Sequence, residues 1–209
     1  MAAIQVKPTR MELSNLKKRK KVAVRGHKMM KDKRDELVRR FIGYARRNRE
    51  LREEVERMLM LSMKNFVLAR ATMSNDEVDE ALMYPARAIA VEAGRQNVLS
   101  IAVPKMSMET GEGFTYPYGF ATTSADLDGA VQQLAEVLPL LIELAEVEKT
   151  CGRLADEIEK TRRRVNALEY VMIPQFTEAI RRIQMKLDEN ERGNLTRLMK
   201  TKDLLQAQK

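Results

Sequence analysis

No proline interrupts the chain between Pro8 and Pro85, and within that interval one spacing of apolar side chains persists. Alternating steps of three and four from Leu13 meet Leu16, Ala23, Met30, Leu37, Phe41, Tyr44, Leu51, Val55, Met58 and Ala69. The same register also meets Lys20, His27, Arg34 and Asn48. This is the seam of a coiled-coil helix with polar interruptions, and it predicts one helix over residues 9–72. Thr9 and Glu12 have the spacing of a capping box, in which hydroxyl and carboxylate each satisfy a free backbone N–H. Gly26 and Gly43 are the weak points, each costing about 1 kcal/mol relative to alanine.

Residues 124–205 repeat the pattern. Thr123 or Ser124 is placed to cap, with Asp126 and Asp128 in the first turn, where the helix dipole favours them. A register from Leu134 runs through Val137, Leu141, Leu144, Cys151, Ile158, Val165, Met172, Phe176 and Ile183, with Glu148, Arg162 and Glu169 as polar exceptions. Pro139 and Pro174 lie inside this stretch. Each removes one backbone donor, so a kink or break is expected at both.

The period is lost over residues 73–123, which hold Pro85, Pro104 and Pro117 with Gly94, Gly111, Gly113 and Gly119. The β-prone runs 87–93 and 97–103 flank Gly94-Arg95-Gln96, which predicts a β-hairpin turning there. Gly111-Glu112-Gly113 reads as a turn. The expected fold is mainly α: a long antiparallel two-helix coiled coil with a small middle region containing a β-hairpin. Three segments follow, 1–72 and 124–209 as the two long helices and 73–123 as the middle region. About 60 helical residues would extend roughly 90 Å, with both termini at one end and the β element at the other.

Composition agrees with length rather than enclosure. A third of the 209 residues are charged, aromatics are 5% and there is no Trp. No apolar run is long enough to span a bilayer, residues 1–10 lack the apolar core of a signal peptide, and a single cysteine excludes an internal disulfide. The expected location is cytoplasmic. Net charge is +8 but uneven: +13 over residues 1–70, −6 over 71–130 and +1 over 131–209.

Little in the sequence supports catalysis or a cofactor. There is no phosphate-binding loop or dinucleotide fingerprint, and no metal or cofactor is expected. His27 reads as a seam or flank residue, Cys151 as a small core residue, and Met58, Met60 and Met63 as packing. The densest charge is Lys17-Lys18-Arg19-Lys20-Lys21. A basic coiled-coil nucleic-acid-binding protein is the alternative reading, but the run has no aromatic stacking surface beside it and no standard motif, so nucleic acid is not expected as a partner.

Several strings are less generic than a heptad pattern: Pro8-Thr9-Arg10-Met11-Glu12-Leu13, Arg25-Gly26-His27-Lys28 and Lys31-Asp32-Lys33-Arg34-Asp35-Glu36-Leu37. Others are Ala145-Glu146-Val147-Glu148-Lys149-Thr150-Cys151, the run from Glu157 to Tyr170, and Ile173-Pro174-Gln175. Together the chain resembles, over about residues 5–200, the central-stalk D subunits of vacuolar/archaeal-type rotary ATPases. The resemblance implies a non-catalytic rotor shaft of a V/A-type ATPase (ATP synthase), peripheral to the membrane. It would couple ATP hydrolysis or synthesis in a hexamer of A and B subunits to proton or sodium translocation. The F subunit would bind its side, and a socket subunit (C, or d) would hold its lower end above the membrane ring. Position on such a shaft then nominates Lys17, Lys18, Arg19, Lys20, Lys21 and Arg25 for the hexamer interior. Arg163, Arg164, Asn166 and Glu169 follow farther along. Arg163 and Arg164 are the outward pair, because the register gives Arg162 and Val165 to the seam.

Overall fold

The computed structural model describes residues 7–85, 87–111, 113 and 116–207. In chain order the elements are α1 (Arg10–Thr72), α2 (Asn75–Leu82), β1 (Ile89–Val98), β2 (Ile101–Thr110), α3 (Ala125–Asn166), a π-helical turn (Ala167–Met172) and α4 (Ile173–Ala207). They form two compact units, one from the chain up to Glu36 with Ile158 onward, the other from Leu37–Glu157. The fold is mainly α with one small antiparallel hairpin, as the sequence predicts.

α1 follows its predicted seam throughout: every register position from Leu13 to Ala69 is buried or half-buried. At its start the Glu12 N–H donates to Thr9 Oγ1 at 3.2 Å. The reciprocal half of the expected capping box is replaced, because the Thr9 N–H donates to the Lys7 carbonyl at 2.9 Å.

The first unit pairs α1 with α4 antiparallel. Leu16 is fully buried against Ala179, Ile180 and Ile183, with Leu13, Phe176 and Leu187 around them, and Arg10 pairs with Glu191. The second unit pairs α1 with α3 in the same sense. Arg47 Nη2 donates to Glu143 at 2.8 Å, Arg52 pairs with Glu148, and the buried Ser62 hydroxyl donates to the Ala130 carbonyl at 3.0 Å. α2 closes this unit, Ala81 joining Ala69 and Leu127 in a cluster flanked by Phe66, Met73, Tyr118 and Val131.

On the return strand the structure corrects half of the predicted register. Val137, Leu144, Cys151, Ile158 and Val165 face inward as expected, but the alternate positions fall one residue earlier, at Leu140, Val147, Leu154, Thr161 and Leu168. Glu148, Arg162 and Glu169 are exposed, not seam residues. Two phases of a three-four alternation share the same anchors, and the one adopted keeps three charges in water. Met60 and Met63 are also exposed, at 62% and 53%, so of the three methionines only Met58 is turned inward.

α3 runs unbroken through Pro139. Pro139 is exposed, as is Ala135, whose carbonyl loses its helical donor, so water can satisfy it. At Pro174 the backbone adapts instead. The preceding turn widens to π geometry, which inserts one extra residue. Beyond it the seam is carried by Phe176, Ile180, Ile183 and Leu187, one position later than an uninterrupted helix would place it. Neither Thr123 nor Ser124 caps α3 with its side chain: the Thr123 hydroxyl donates to the Gly119 carbonyl at 3.1 Å, and Ser124 Oγ is buried without a partner among the described residues.

The hairpin is longer and turns later than predicted. Ile89 pairs with Thr110 and Val98 with Ile101, leaving Leu99-Ser100 as a two-residue turn. Both turn residues have positive φ, 51° and 68°, as a type I′ turn requires, yet neither is the Asn or Gly usual there. Gly94, read as the turn, instead sits mid-strand opposite Lys105. The turn read at Gly111–Gly113 includes Glu112, which lies outside the described residues.

Candidate functional site

The basic run occupies two turns of α1 in the first unit, and the helix divides it. Lys17, Lys20, Lys21 and Arg25 line a shallow groove whose apolar lining is Val24 and the nearly buried Ile180 of α4. Lys18 and Arg19 are exposed but do not line it. At about 100° per residue, position 19 projects far from positions 17, 21 and 24, which cluster beside the seam. None of the six cations has an ion-pair partner among the described residues. That sets them apart from Arg10, Arg47, Arg52, Arg163 and Arg182, each paired with a glutamate. An uncompensated cluster over an aliphatic floor attracts carboxylates that flank an apolar side chain. The sequence locates the charges, but the Ile180 floor becomes visible only when α4 is laid beside α1.

The second nominated group lies around the π turn of the same unit. Arg163 and Arg164 are both exposed, as the register expected. Arg163 is tied to Glu159 one turn back. Asn166 is exposed at the end of α3. Glu169 stands in the π turn with its Oε2 3.3 Å from His27 Nε2 of α1, so His27 is a flank residue that reaches across the helix pair. The structure thus brings Glu169 to α1 through His27, whereas Arg163 is engaged within its own helix.

The remaining titratable features are structural. Burial and the nearby Glu148 carboxylate push the Cys151 thiol up, so it is a poor nucleophile. The Tyr118 hydroxyl donates to Asp128 Oδ1 at 2.8 Å, and burial together with that bond holds it well above the usual phenol range. Among the described residues no three His, Cys, Asp or Glu side chains form a metal-binding group, and no helix is long and apolar enough to cross a membrane.

The sequence profile of the family of ATP synthase D subunits matches residues 12–203. The chain is 56% identical to a V-type ATP synthase D subunit of Acetivibrio thermocellus, an alignment covering 100% of this chain and 95% of that one. It is 55% identical to the protein of the same name from Clostridium novyi, over 100% and 98% of the two chains. It is 56% identical to that of Clostridium botulinum, over 97% and 96%. With a family match over residues 12–203 and relatives 55–56% identical over nearly the full length of both chains, the chain belongs to the family of V-type ATP synthase D subunits.

Proposed function

We propose that this chain is the central rotor shaft of its ATPase complex. In this reading it carries no catalytic site; it turns within the hexamer of A and B subunits and transmits torque to the ring that moves protons or sodium ions. The F subunit binds its side and the socket subunit (C, or d) its far end, so the chain is peripheral to the membrane. The observation that carries the reading is α1, 63 residues of unbroken helix whose seam is filled from Leu13 to Ala69. An antiparallel helix pair resists bending and sliding because displacement exposes its seam, at about 25 cal/mol per Å² of apolar surface.

The reading assigns hexamer contacts to Lys17, Lys18, Arg19, Lys20, Lys21 and Arg25, and to Arg163, Arg164, Asn166 and Glu169 beyond them. Charged, wet contacts suit a rotating interface, because each is weak and exchangeable. The test is reconstitution from separately purified subunits. The chain is expected to co-purify with the hexamer and the F subunit, and ATP-driven ion pumping by the membrane-bound complex is expected to be lost when it is left out. Pumping at an undiminished rate in its absence overturns the proposal.

A further inference from the structure

The two edges of the hairpin are not alike. The two-residue turn and the register fix which backbone groups point where. Val98 and Ile101 flank the turn as a hydrogen-bonded pair, and the Gly111 N–H donates to the Ala88 carbonyl at 2.9 Å at the other end of the same series. Antiparallel pairs alternate. Ala90, Glu92, Gly94 and Gln96 of β1 therefore bond inward to β2, while Ile89, Val91, Ala93, Arg95 and Asn97 turn their N–H and C=O groups outward. On β2 the outward set contains Pro104 and Met106.

The outer edge of β2 is blunted at that point. Pro104 has no N–H to offer, and the Met106 N–H donates to Glu146 Oε2 of α3 at 2.7 Å. β1 has neither device. Its outward backbone groups have no partner among the described residues. Ile89 and Val91 are 46% and 52% exposed, and Arg95 and Glu92, on opposite faces of the strand, have no ion-pair partner among the described residues. A proline, a bulge or a row of charges usually protects an edge that stays bare; β1 has no proline, and Arg95 is the one charged residue of its outward set.

We propose that the outer edge of β1 takes an extended strand from another component of the ATPase complex. The ladder selects extended backbone as the occupant. The side chains select its sequence: aliphatic residues beside Ile89 and Val91, a carboxylate beside Arg95 on that face, and a cation beside Glu92 on the other.

This inference rests on the chain's assembly into the complex, and hydrogen exchange of the full chain, free and assembled, tests it. In the free chain the amides of Val91, Ala93 and Arg95 are expected to exchange quickly while those of Glu92, Gly94 and Gln96 are protected. On assembly the outward three are expected to slow by about tenfold or more. Ala93→Pro removes an outward donor without touching the inward ladder. It is expected to weaken assembly about tenfold while the inward amides stay protected. An assembled complex whose outward amides still exchange quickly overturns the inference and leaves the shaft reading intact. Failure of the wild-type chain to assemble overturns both. A free chain that sediments as a dimer with its outward amides already protected overturns the inference in favour of self-pairing.

Discussion

At the scale of single residues Thr161 is a chemical mismatch within the seam. Thr161 is 1% exposed, and its Oγ1 has no hydrogen-bond partner among the described residues. A buried hydroxyl without a partner carries a desolvation cost of about 1–3 kcal/mol, and valine has nearly its shape. Thr161→Val is therefore expected to stabilise the chain by about 1 kcal/mol in urea unfolding; a loss of stability would show that the hydroxyl is bonded. The neighbouring Arg162 illustrates the limits of a register laid on sequence alone. Counted from Leu134 it belongs to the seam, yet Thr161 is inside and Arg162 outside, because threonine is the cheaper of the two to desolvate.

At the scale of elements the most consequential feature is the π turn at Ala167–Met172. Upstream the seam passes through Thr161, Val165 and Leu168; downstream it resumes at Phe176, Ile180 and Ile183, with one residue too many for a continuous helix. Removing one residue should bring the two halves into a single α-helical phase once the Pro174 ring no longer obstructs the preceding carbonyl. Deletion of the exposed Tyr170 combined with Pro174→Ala is expected to leave stability within about 1 kcal/mol of the parent. Deletion of Arg153 would rotate the seam by about 100° beyond it and is expected to lower the melting temperature sharply. Equal melting of the two variants would contradict the phase argument. α1 was legible in full, since its apolar spacing admits one phase. α2 left a readable signal in Ser74 and Glu77, which form a complete capping box, though it lies in the middle region, where the long helical period is lost. The hairpin was legible as a hairpin but not in its turn. Gly94 imitates a turn signal, whereas Leu99 and Ser100 hold positive φ against their preference, at about 1–2 kcal/mol per residue.

At the scale of the molecule the net charge of +8 conceals its arrangement. Six arginines of the long helices, Arg10, Arg47, Arg49, Arg52, Arg163 and Arg182, are matched with glutamates, while Lys17, Lys20, Lys21 and Arg25 surround a groove with nothing opposite them among the described residues. The candidate site was legible as charge, but not as a surface, because its floor comes from Ile180, far away in the sequence. Reversing these four charges together is expected to weaken hexamer binding at moderate salt by about tenfold or more. Reversing Lys18 and Arg19, which stand off the groove, is expected to have the smaller effect. A titration of affinity against salt for both variants checks this, and equal losses would remove the groove from the interface.

The last described residues of α4 add a different consequence. From Asp188 to Gln206 every side chain is exposed, including Leu195, Leu198, Met199 and Leu205. Their spacing makes one apolar stripe, which lies beyond the Arg10–Glu191 pair at the start of α1. A helix end without a packed face lacks the tertiary contacts that supply most helical stability in proteins. A partner that covers the stripe would supply that packing by burying Leu195, Leu198, Met199 and Leu205. On the rotor-shaft reading proposed above, an end that gains its packing only on entry would be seated late in assembly.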